Sequence, residues 1–425
     1  MRTFFTIALS VFGLASCNPG VQNSSIEKTA FISSPCQVGI YGPAESFVAI
    51  TRREDVFSYS FSDGRRGKLD NQELIECGEG SLRIERLQLL TKRPLHITNT
   101  RFESNGVMLA GQLLEPVDAG PDTTLVVLAH GSEELGWIEA VSYPYQFVGR
   151  GVSVFVYDKR GTGNSAGSYS QNFPQLADDL VAASREAKRL ARGRFGRFGL
   201  FGFSQGGWIA PLGAERSGAD FIGIGYGLVV DILEEDASQV ELELREAGYG
   251  DDVLAKAKDI TNVTARLAVS SYSDGLEELD ALRASHGGEA WYPIVRGGFT
   301  GVLLGMSTDE LRDKGIPMFD RLNIDWSIKP MDVLRDVKVP QFWVLAGEDR
   351  EAPIAKTLER LETLRGEGSD ITIFMFPNTD HGMWEFEQKP DRTRNYTRVV
   401  DGYYDLLADW AKDSIQLPYG TSTQK

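Results

Sequence analysis

The chain has 425 residues, of which 42% are hydrophobic and 24% are charged, an ordinary composition for a globular protein. Its length accommodates one large domain with an insertion or a small extra domain. The formal net charge of −16 argues against a nucleic-acid-binding protein, because contacts with phosphates require a basic face.

The first segment of the chain has the pattern of an export signal. Arg2 supplies a positive charge, an apolar core follows over 4–14, and a Leu-Ala-Ser-Cys sequence ends at Cys17. The apolar core is too short to span a bilayer as a mature helix. Leu-Ala-Ser-Cys resembles the lipobox of bacterial lipoproteins, in which the cysteine is lipidated. We therefore expect a lipoprotein signal peptide over 1–17 and a polar tether over 18–30; an ordinary cleaved secretory signal is the alternative.

Two further expectations follow from export. The residue after Cys17 is Asn18, and not the aspartate that retains lipoproteins at the inner membrane in Gram-negative families. The resemblance therefore implies an anchor in the outer membrane that faces the periplasm. Export also places Cys36 and Cys77 in an oxidising compartment, which permits a disulfide between them. Two buried free thiols are the alternative.

The residue pattern over 31–95 predicts a small β-rich N-terminal lobe, and the residues after it predict a larger α/β unit. In the lobe, 56–61 and 82–90 have the composition of strands. A hairpin is expected around Asn105-Gly106. Apolar runs without alternation then recur between helical segments, which is typical of a parallel sheet covered on both faces. These runs are 125–129, 152–157, 198–203, 221–230, 341–346 and 371–376.

Residues 231–325 interrupt this pattern with stretches of helical character. An insertion of this size beyond the strand ends predicts a lid over the site. Its apolar underside is expected to carry Leu242, Leu244, Leu254 and Leu267, and its solvated top Glu234, Glu235, Glu241 and Glu243. The α/β unit then comprises 96–230 and 326–415. Its final helix is expected to place on one face Val399, Val400, Tyr403, Leu407 and Trp410.

One strand-to-helix junction has the pattern of a nucleophile elbow. Ser204 follows the apolar run 198–203 and lies between Gly202 and Gly206, with helix-forming residues behind it. A strand, a sharp Gly-x-Ser-x-Gly turn and a helix are what such an elbow needs. The serine is held in a strained turn, and Cβ atoms at the two glycines would crowd the strand and helix that cross there. Ser204 is therefore the predicted nucleophile; a glycine-rich turn with an idle serine is the alternative.

A serine hydroxyl needs a base, and the base needs a third group to orient it. The four histidines are His96, His130, His286 and His381. His96 precedes the first predicted strand of the α/β unit, at 98–103, His286 lies in the insertion, and His130 comes too early for the chain order of nucleophile, acid and histidine. His381, just after the last apolar run, is the predicted base.

The predicted acid is Asp349, which follows the run 341–346 and has the best spacing to Pro353; Glu348 is its rival and Asp325 a weaker one.

A tetrahedral intermediate also needs two backbone N–H donors. One is predicted at Gln205, directly after the nucleophile, where a helix dipole adds to the effect. The other is predicted at Ser132, in the loop after the first parallel strand, with Glu133 as the alternative. His130 then shapes this loop. The segment 158–165 is expected to be structural, with Asp158 or Arg160 bracing the loops around the site.

Four features in this order resemble the α/β-hydrolase superfamily. They are His-Gly at 130–131, Asp-x-Arg-Gly-x-Gly-x-Ser at 158–165, the elbow at Ser204, and an acid and a histidine after the last two strands. The resemblance covers 97–412 and looks closest to bacterial extracytoplasmic esterases of the dienelactone-hydrolase and prolyl-oligopeptidase-like branch. It implies a mostly parallel sheet flanked by helices.

The resemblance also implies a serine hydrolase, foremost a carboxylesterase that cleaves small esters through an acyl-enzyme at Ser204. A peptidase or amidase-like deacylase of the same fold is one alternative, and a non-catalytic binding lipoprotein is another. The sequence has no His-Glu-x-x-His, paired cysteine cluster or phosphate-cradling loop, so it implies no metal and no cofactor. The expected partners are a small ester or peptide substrate and, through the lipid, a membrane. The sequence does not indicate an oligomeric state.

Overall fold

The structure, a computed structural model, describes residues 34–69 and 74–425. The predicted signal peptide, the lipidation site Cys17 and the tether lie outside the described residues. Within the described residues, no helix combines the length and apolarity needed to cross a membrane.

The N-terminal region is β-rich, as predicted, and forms two small antiparallel sheets. The first has four strands in the order β1-β2-β3-β4, and the second has three in the order β5-β6-β7. A disulfide joins Cys36 to Cys77, the latter within the second sheet. The strands are β1 (Gly39–Tyr41), β2 (Val48–Arg53), β3 (Val56–Phe61), β4 (Arg66–Lys68), β5 (Ile75–Gly78), β6 (Ser81–Ile84) and β7 (Gln88–Thr91).

The prediction of one continuous strand over 82–90 is wrong. β6 ends at Ile84, β7 begins at Gln88, and the two strands pair as a hairpin. Between them Glu85 and Arg86 have φ angles of 48° and 59°. Two successive left-handed residues suit a tight hairpin turn. Because charged residues occupy these positions in place of Asn and Gly, the sequence carries no turn signal here.

The core of the molecule is a nine-stranded sheet in the order β19-β15-β14-β13-β12-β10-β11-β9-β8. Its pairings from β11 to β15 are parallel, and β8, β9 and β19 add antiparallel edges. Every residue of β10, β11, β13 and β14 is buried, which explains their unbroken apolar runs. The strands are β8 (Leu95–Ser104), β9 (Val107–Pro116), β10 (Thr124–Ala129), β11 (Ser153–Tyr157), β12 (Arg197–Phe203), β13 (Phe221–Gly225), β14 (Gln341–Ala346), β15 (Ile371–Phe376) and β19 (Thr423–Gln424).

Helices cover both faces of this sheet, which confirms the predicted fold class. One face is covered by α2 (Phe173–Leu190), α3 (Gly206–Ser217), α10 (Pro330–Asp336) and α11 (Ala355–Gly366). The other is covered by α1 (Tyr143–Gly149), α12 (Tyr403–Ala411) and the N-terminal lobe. The lobe contributes Ile40, Phe47 and Ala49 to the same apolar cluster as the sheet, so the two regions share a core.

Two elements near the site have boundaries that differ from the prediction. The strand expected over 221–230 stops at Gly225, because Tyr226 adopts a φ of 41° and turns the chain. The final helix begins only at Tyr403, so the placement of Val399 and Val400 on it is wrong. Val399 instead ends a strand of a third small sheet. Its strands are β16 (Thr379–Asp380), β17 (Trp384–Gln388) and β18 (Arg394–Val399).

The insertion between β13 and β14 is helical and has an apolar cluster of its own, to which Leu244 and Leu267 contribute as fully buried residues. The buried carboxylate of Asp236 accepts hydrogen bonds from the backbone N–H groups of Phe299 (2.8 Å) and Thr300 (3.0 Å). The helices are α4 (Ile232–Glu246), α5 (Asp251–Val269), α6 (Leu276–His286), α7 (Thr300–Gly305), α8 (Thr308–Glu310) and α9 (Ile316–Leu322), with a π-helical turn at Leu311–Gly315.

The expectation that four glutamates of the insertion face solvent is wrong for three of them. Only Glu241 is exposed. Glu234 accepts two hydrogen bonds of 2.7 Å from Arg360 of α11, and Glu243 accepts from the backbone N–H of Arg296 at 3.1 Å. Glu235 is partly buried and lies within electrostatic reach of His381 and Asp349. The reason is that α4 is packed on two sides, against the apolar cluster of the insertion and against the sheet domain.

Candidate active site

The elbow at Ser204 has the geometry that its glycines require. Ser204 follows β12 with a φ of 51°, and its backbone N–H donates to Gly225 O at 3.1 Å. A Cβ on Gly202 would lie 2.1 Å from Gly206 O, and one on Gly206 would lie 2.5 Å from Ala129 O. Both distances are far inside van der Waals contact, so no larger residue fits without moving β12, β10 or α3.

Three of the predicted site residues form one hydrogen-bonded chain. His381 Nδ1 lies 2.9 Å from Asp349 Oδ2, and His381 Nε2 lies 3.0 Å from Ser204 Oγ. Asp349 is almost fully buried, whereas the His381 side chain keeps 17% of its exposure. The arrangement has the form of a nucleophile, a base and a group that orients the base.

The structure separates the three candidate acids. Asp349 bonds His381, and its Oδ1 also accepts the backbone N–H of Ala352 at 2.7 Å. Glu348 points elsewhere, since its carboxylate lies 3.5 Å from Arg394. Asp325 accepts hydrogen bonds from the backbone N–H and the hydroxyl of Ser327, in the connection that follows the insertion.

The residue before His381 is braced by the hairpin of β17 and β18, which the sequence did not predict. Asp380 Oδ1 accepts the backbone N–H of His381 at 2.8 Å and that of Arg350 at 2.9 Å. Its Oδ2 is 2.7 Å from the Tyr396 hydroxyl and 2.6 Å from an Arg394 nitrogen, both on β18. Asp380 therefore ties the backbone of His381 to that of the loop that carries Asp349.

The predicted oxyanion loop lies directly beside the elbow. A Cβ on Gly131 would be 3.5 Å from Ser204 Cβ. Among the described residues, the backbone N–H groups of Ser132, Glu133 and Gln205 have no hydrogen-bond acceptor. Gln205 immediately precedes the first turn of α3, as predicted. These N–H groups are therefore available to donate hydrogen bonds to an oxygen atom of a ligand.

His130 is placed as a loop-shaping residue. Its ring is buried, its Nε2 is 2.5 Å from Tyr157 O, and it stacks on Trp137 with ring centroids 4.3 Å apart. Burial, with a smaller effect from the charge of Lys159, lowers the pKa of His130 well below its ordinary value. A neutral, buried imidazole of this kind packs and orients the loop after β10.

The segment after β11 braces the site from the opposite side to His381. Asp158 accepts backbone N–H groups from Ile138 at 3.0 Å and Asn164 at 2.8 Å. Arg160 donates two hydrogen bonds, of 2.6 and 2.7 Å, to the buried carboxylate of Asp179 on α2. Removing one partner of such a buried pair costs about 3–5 kcal/mol, because it leaves an uncompensated charge.

Two carboxylates beyond Asp349 act on the imidazole. Glu351 Oε1 lies 3.7 Å from His381 Nε2, and Glu235 of α4 also lies within electrostatic reach. Burial of the imidazole opposes its charged form, but the carboxylates of Asp349, Glu351 and Glu235 outweigh burial and raise the pKa of His381 to about 10. Sequence analysis missed both glutamates, because Glu351 follows the acid by only two residues and Glu235 was assigned to solvent.

Comparison with protein families assigns the fold. A model described as "Alpha/beta hydrolase family" matches residues 126–395, which is well over half of the chain. The chain belongs to this family, and it is a hydrolase by that membership. No protein of curated function matches the sequence.

Three solved structures illustrate the likeness in fold. An esterase from Pyrococcus furiosus is 16% identical, with a TM-score of 0.43 over 68% of this chain and 84% of the esterase. An acylaminoacyl peptidase from Pyrococcus horikoshii is 14% identical, with a TM-score of 0.44 over 82% of this chain and 46% of the peptidase. A proline iminopeptidase from Mycobacterium smegmatis is 17% identical, with a TM-score of 0.40 over 67% and 91% of the respective chains.

The charge of Glu351 gives a prediction for the titration of His381. Replacing Glu351 with Gln removes one of the charges that raise the imidazole pKa, so this pKa should fall toward its ordinary value. Glu348→Gln is the matched control, because that carboxylate lies in the same loop but is turned toward Arg394. Imidazole proton NMR can follow this titration in a protein with four histidines. An unchanged pKa in Glu351→Gln would show that solvent screens this exposed carboxylate.

Proposed function

We propose that the protein is a serine hydrolase, and foremost a carboxylesterase, with Ser204 as nucleophile, His381 as base and Asp349 as the acid that orients the base. The observation that carries this proposal is the hydrogen-bonded chain from Asp349 Oδ2 through His381 to Ser204 Oγ, with links of 2.9 and 3.0 Å. It lies at the carboxyl ends of the parallel strands, where ligands of open α/β sheets bind.

In the first half of the reaction, Ser204 Oγ attacks the ester carbonyl carbon while its proton moves to His381 Nε2. Asp349 accepts the Nδ1 hydrogen of the imidazole and stabilises the imidazolium that forms. The carbonyl oxygen becomes an oxyanion, which is bound by the N–H groups of Gln205 and Ser132. His381 then protonates the departing alcohol, which leaves an acyl group on Ser204.

In the second half, a water molecule replaces the alcohol. His381 removes a proton from this water as it attacks the acyl carbon, and the same two N–H groups bind the second oxyanion. Breakdown of this second tetrahedral intermediate releases the carboxylic acid and returns the proton to Ser204 Oγ. Because the imidazole must be neutral to accept a proton, its raised pKa implies that kcat/KM increases as pH rises through the neutral range.

Hydrolysis of aminoacyl or peptidyl substrates is the second candidate. It is favoured by the carboxylate of Glu351, 3.7 Å from His381 Nε2, because a negative charge at this position attracts a substrate amine. The two candidates differ in the substrates that they predict. An esterase should prefer neutral p-nitrophenyl esters, whereas an aminoacyl hydrolase should prefer anilides with a free amino group over the same compounds after acetylation.

The nucleophile assignment can be tested with Ser204→Ala. This variant should lose about 10⁴-fold or more in turnover of its best substrate in the ester and anilide panel, with little change in the thermal midpoint. Fluorophosphonate labelling should disappear with it. Ser168→Ala changes an exposed serine of a neighbouring loop and is the control. It should retain both substrate turnover and fluorophosphonate labelling. Ordinary turnover by a folded Ser204→Ala protein would exclude the mechanism. A wild type that neither hydrolyses the panel nor reacts with fluorophosphonate would leave a binding lipoprotein as the alternative.

The insertion 231–325 is proposed to act as a lid that sets substrate size. Its first helix is held close to the site by ion pairs of Glu234 with Arg360 (2.7 Å) and of Glu246 with Arg350 (2.9 Å). Its last helix reaches the other side, where Arg321 pairs with Glu134 of the oxyanion loop at 3.2 Å. These contacts support a lid that bridges the two sides of the elbow.

Replacing 231–325 with a short Gly-Ser linker should therefore broaden or shift the preference for acyl chain length, as measured with p-nitrophenyl esters. Reaction of Ser204 with a small fluorophosphonate should survive, because Ser204, His381 and Asp349 all lie outside the insertion. The intact protein is the reference, and circular dichroism establishes that the shortened protein is folded. Loss of labelling in a folded core would show that the insertion supplies part of the chemistry.

The protein is further proposed to be a bacterial lipoprotein, anchored through Cys17 in the outer membrane and facing the periplasm. Cys17→Ser should move the protein from the membrane fraction to the soluble fraction, because two acyl chains are needed for stable anchoring. Hydrolase activity should be unchanged, since the site lies far along the chain from the anchor. Mass spectrometry should find diacylglyceryl on Cys17 of the wild type. An unmodified mature protein cleaved at another residue would contradict this proposal.

A further inference from the structure

A buried lysine lies beside the oxyanion loop. Lys159 follows β11 with 2% of its surface exposed, and its Nζ donates a hydrogen bond of 2.7 Å to Gly131 O. Its ammonium lies 5.1 Å from the centroid of the Tyr169 ring, and it forms no ion pair within 34–69 and 74–425. Burying a cation without a paired carboxylate is costly, so its position calls for a role.

The strand order shows what this hydrogen bond controls. β10 lies between β11, which precedes Lys159, and β12, which precedes Ser204. The carbonyl of Gly131 therefore points from the loop after β10 toward the β11 side. In a planar trans peptide the N–H points opposite to the C=O. The N–H in this peptide belongs to Ser132, and it is consequently directed toward the β12 side, where Ser204 lies.

The next peptide of the loop is held in a similar way. The Tyr169 hydroxyl donates a hydrogen bond to Ser132 O, and the N–H in that peptide belongs to Glu133. Lys159 and Tyr169 thus fix two consecutive carbonyls, one for each of the two candidate oxyanion donors. Both side chains come from the segment after β11, and the ammonium contacts the Tyr169 ring, so they act as one support.

We propose that Lys159, supported by Tyr169, is a positioning residue for the oxyanion hole. It holds the Gly131–Ser132 peptide with its N–H facing the carbonyl oxygen of a substrate bound at Ser204. A cation bonded to the peptide carbonyl also polarises the peptide, which makes its N–H a stronger donor. The inference rests on the proposed serine-hydrolase function, because it concerns the oxyanion that forms in that reaction.

Lys159→Met tests this role, since it keeps the apolar stem and removes the ammonium. The oxyanion forms only in the transition state, so kcat for a p-nitrophenyl ester should fall while KM changes less than about twofold. The expected loss in kcat is roughly 10- to 100-fold, because removing an oxyanion donor outright costs about 10²- to 10³-fold and here the donor is only misaligned.

Lys188→Met is the matched control. Lys188 also donates to a backbone carbonyl, Ser217 O at 2.6 Å, and lies 4.8 Å from an aromatic ring, that of Phe198. Burial lowers its pKa as well. It lies at the opposite end of β12 and α3 from Ser204, so Lys188→Met should keep the kcat and KM of the wild type.

Thermal stability gives a readout that separates positioning from a structural role. Burial lowers the pKa of Lys159 to about 8, although Glu133 and Glu134 oppose this shift and His130 is the other titratable neighbour. An unfolded lysine keeps its proton to about pH 10.4. Between these values the unfolded chain binds more protons, so wild-type stability should rise with pH. Lys159→Met should lack this rise and be at least as stable as the wild type at pH 7.

The outcomes are distinct. A folded Lys159→Met protein with the kcat of the wild type would overturn the inference and leave the proposed function intact. A wild type that neither hydrolyses the panel nor reacts with fluorophosphonate would overturn both. If Lys159→Met does not fold, Tyr169→Phe replaces it, since this change removes only the hydroxyl that holds Ser132 O. A tenfold loss in kcat at unchanged KM in Tyr169→Phe supports the inference, and full activity overturns it.

Discussion

The close approach of three backbone segments at the elbow is the constraint on which the site depends. The end of β12, the start of α3 and the end of β10 pass so near one another that a Cβ on Gly202 or Gly206 would lie 2.1 or 2.5 Å from a backbone oxygen. Contact at this distance places the loop after β10 against Ser204. It therefore places the proposed nucleophile and the proposed oxyanion loop next to each other, and the parallel pairing of β10 with β12 maintains the distance between them.

The two remaining members of the hydrogen-bonded chain come from the other half of the sheet. Asp349 follows β14 and His381 follows β15, and neither strand touches β12 directly. Their loops are linked to each other by Asp380, which accepts backbone N–H groups from both Arg350 and His381. Arg394 and Tyr396 hold the other oxygen of Asp380. A hairpin that supplies no member of the hydrogen-bonded chain thus helps to keep His381 Nε2 within hydrogen-bond distance of Ser204.

How much of the fold and of the site could be predicted from the sequence depends on how far apart in the sequence the interacting residues lie. The strands and the elbow could be predicted because apolar runs and the Gly-x-Ser-x-Gly turn are local patterns. Chain order identified His381 and Asp349, and the structure brings both to Ser204. Asp380, Glu235 and Lys159 could not be found in this way. Each contacts at least one group that is distant in sequence, such as Arg350 for Asp380. No local pattern distinguishes it from an ordinary charged residue.

The distribution of charge around Ser204 matches the charges that an acyl transfer would create. On the β14 and β15 side, the carboxylates of Asp349, Glu351 and Glu235 favour a protonated His381. On the β11 side, the ammonium of Lys159 bonds the oxyanion loop through Gly131 O. A tetrahedral intermediate carries an imidazolium on the first side and an oxyanion on the second. The carboxylates stabilise the imidazolium directly, and the ammonium is proposed to act on the oxyanion through the Gly131–Ser132 peptide. The groups are held by backbone and side-chain hydrogen bonds before substrate arrives, and little reorganisation is then needed when the charges form.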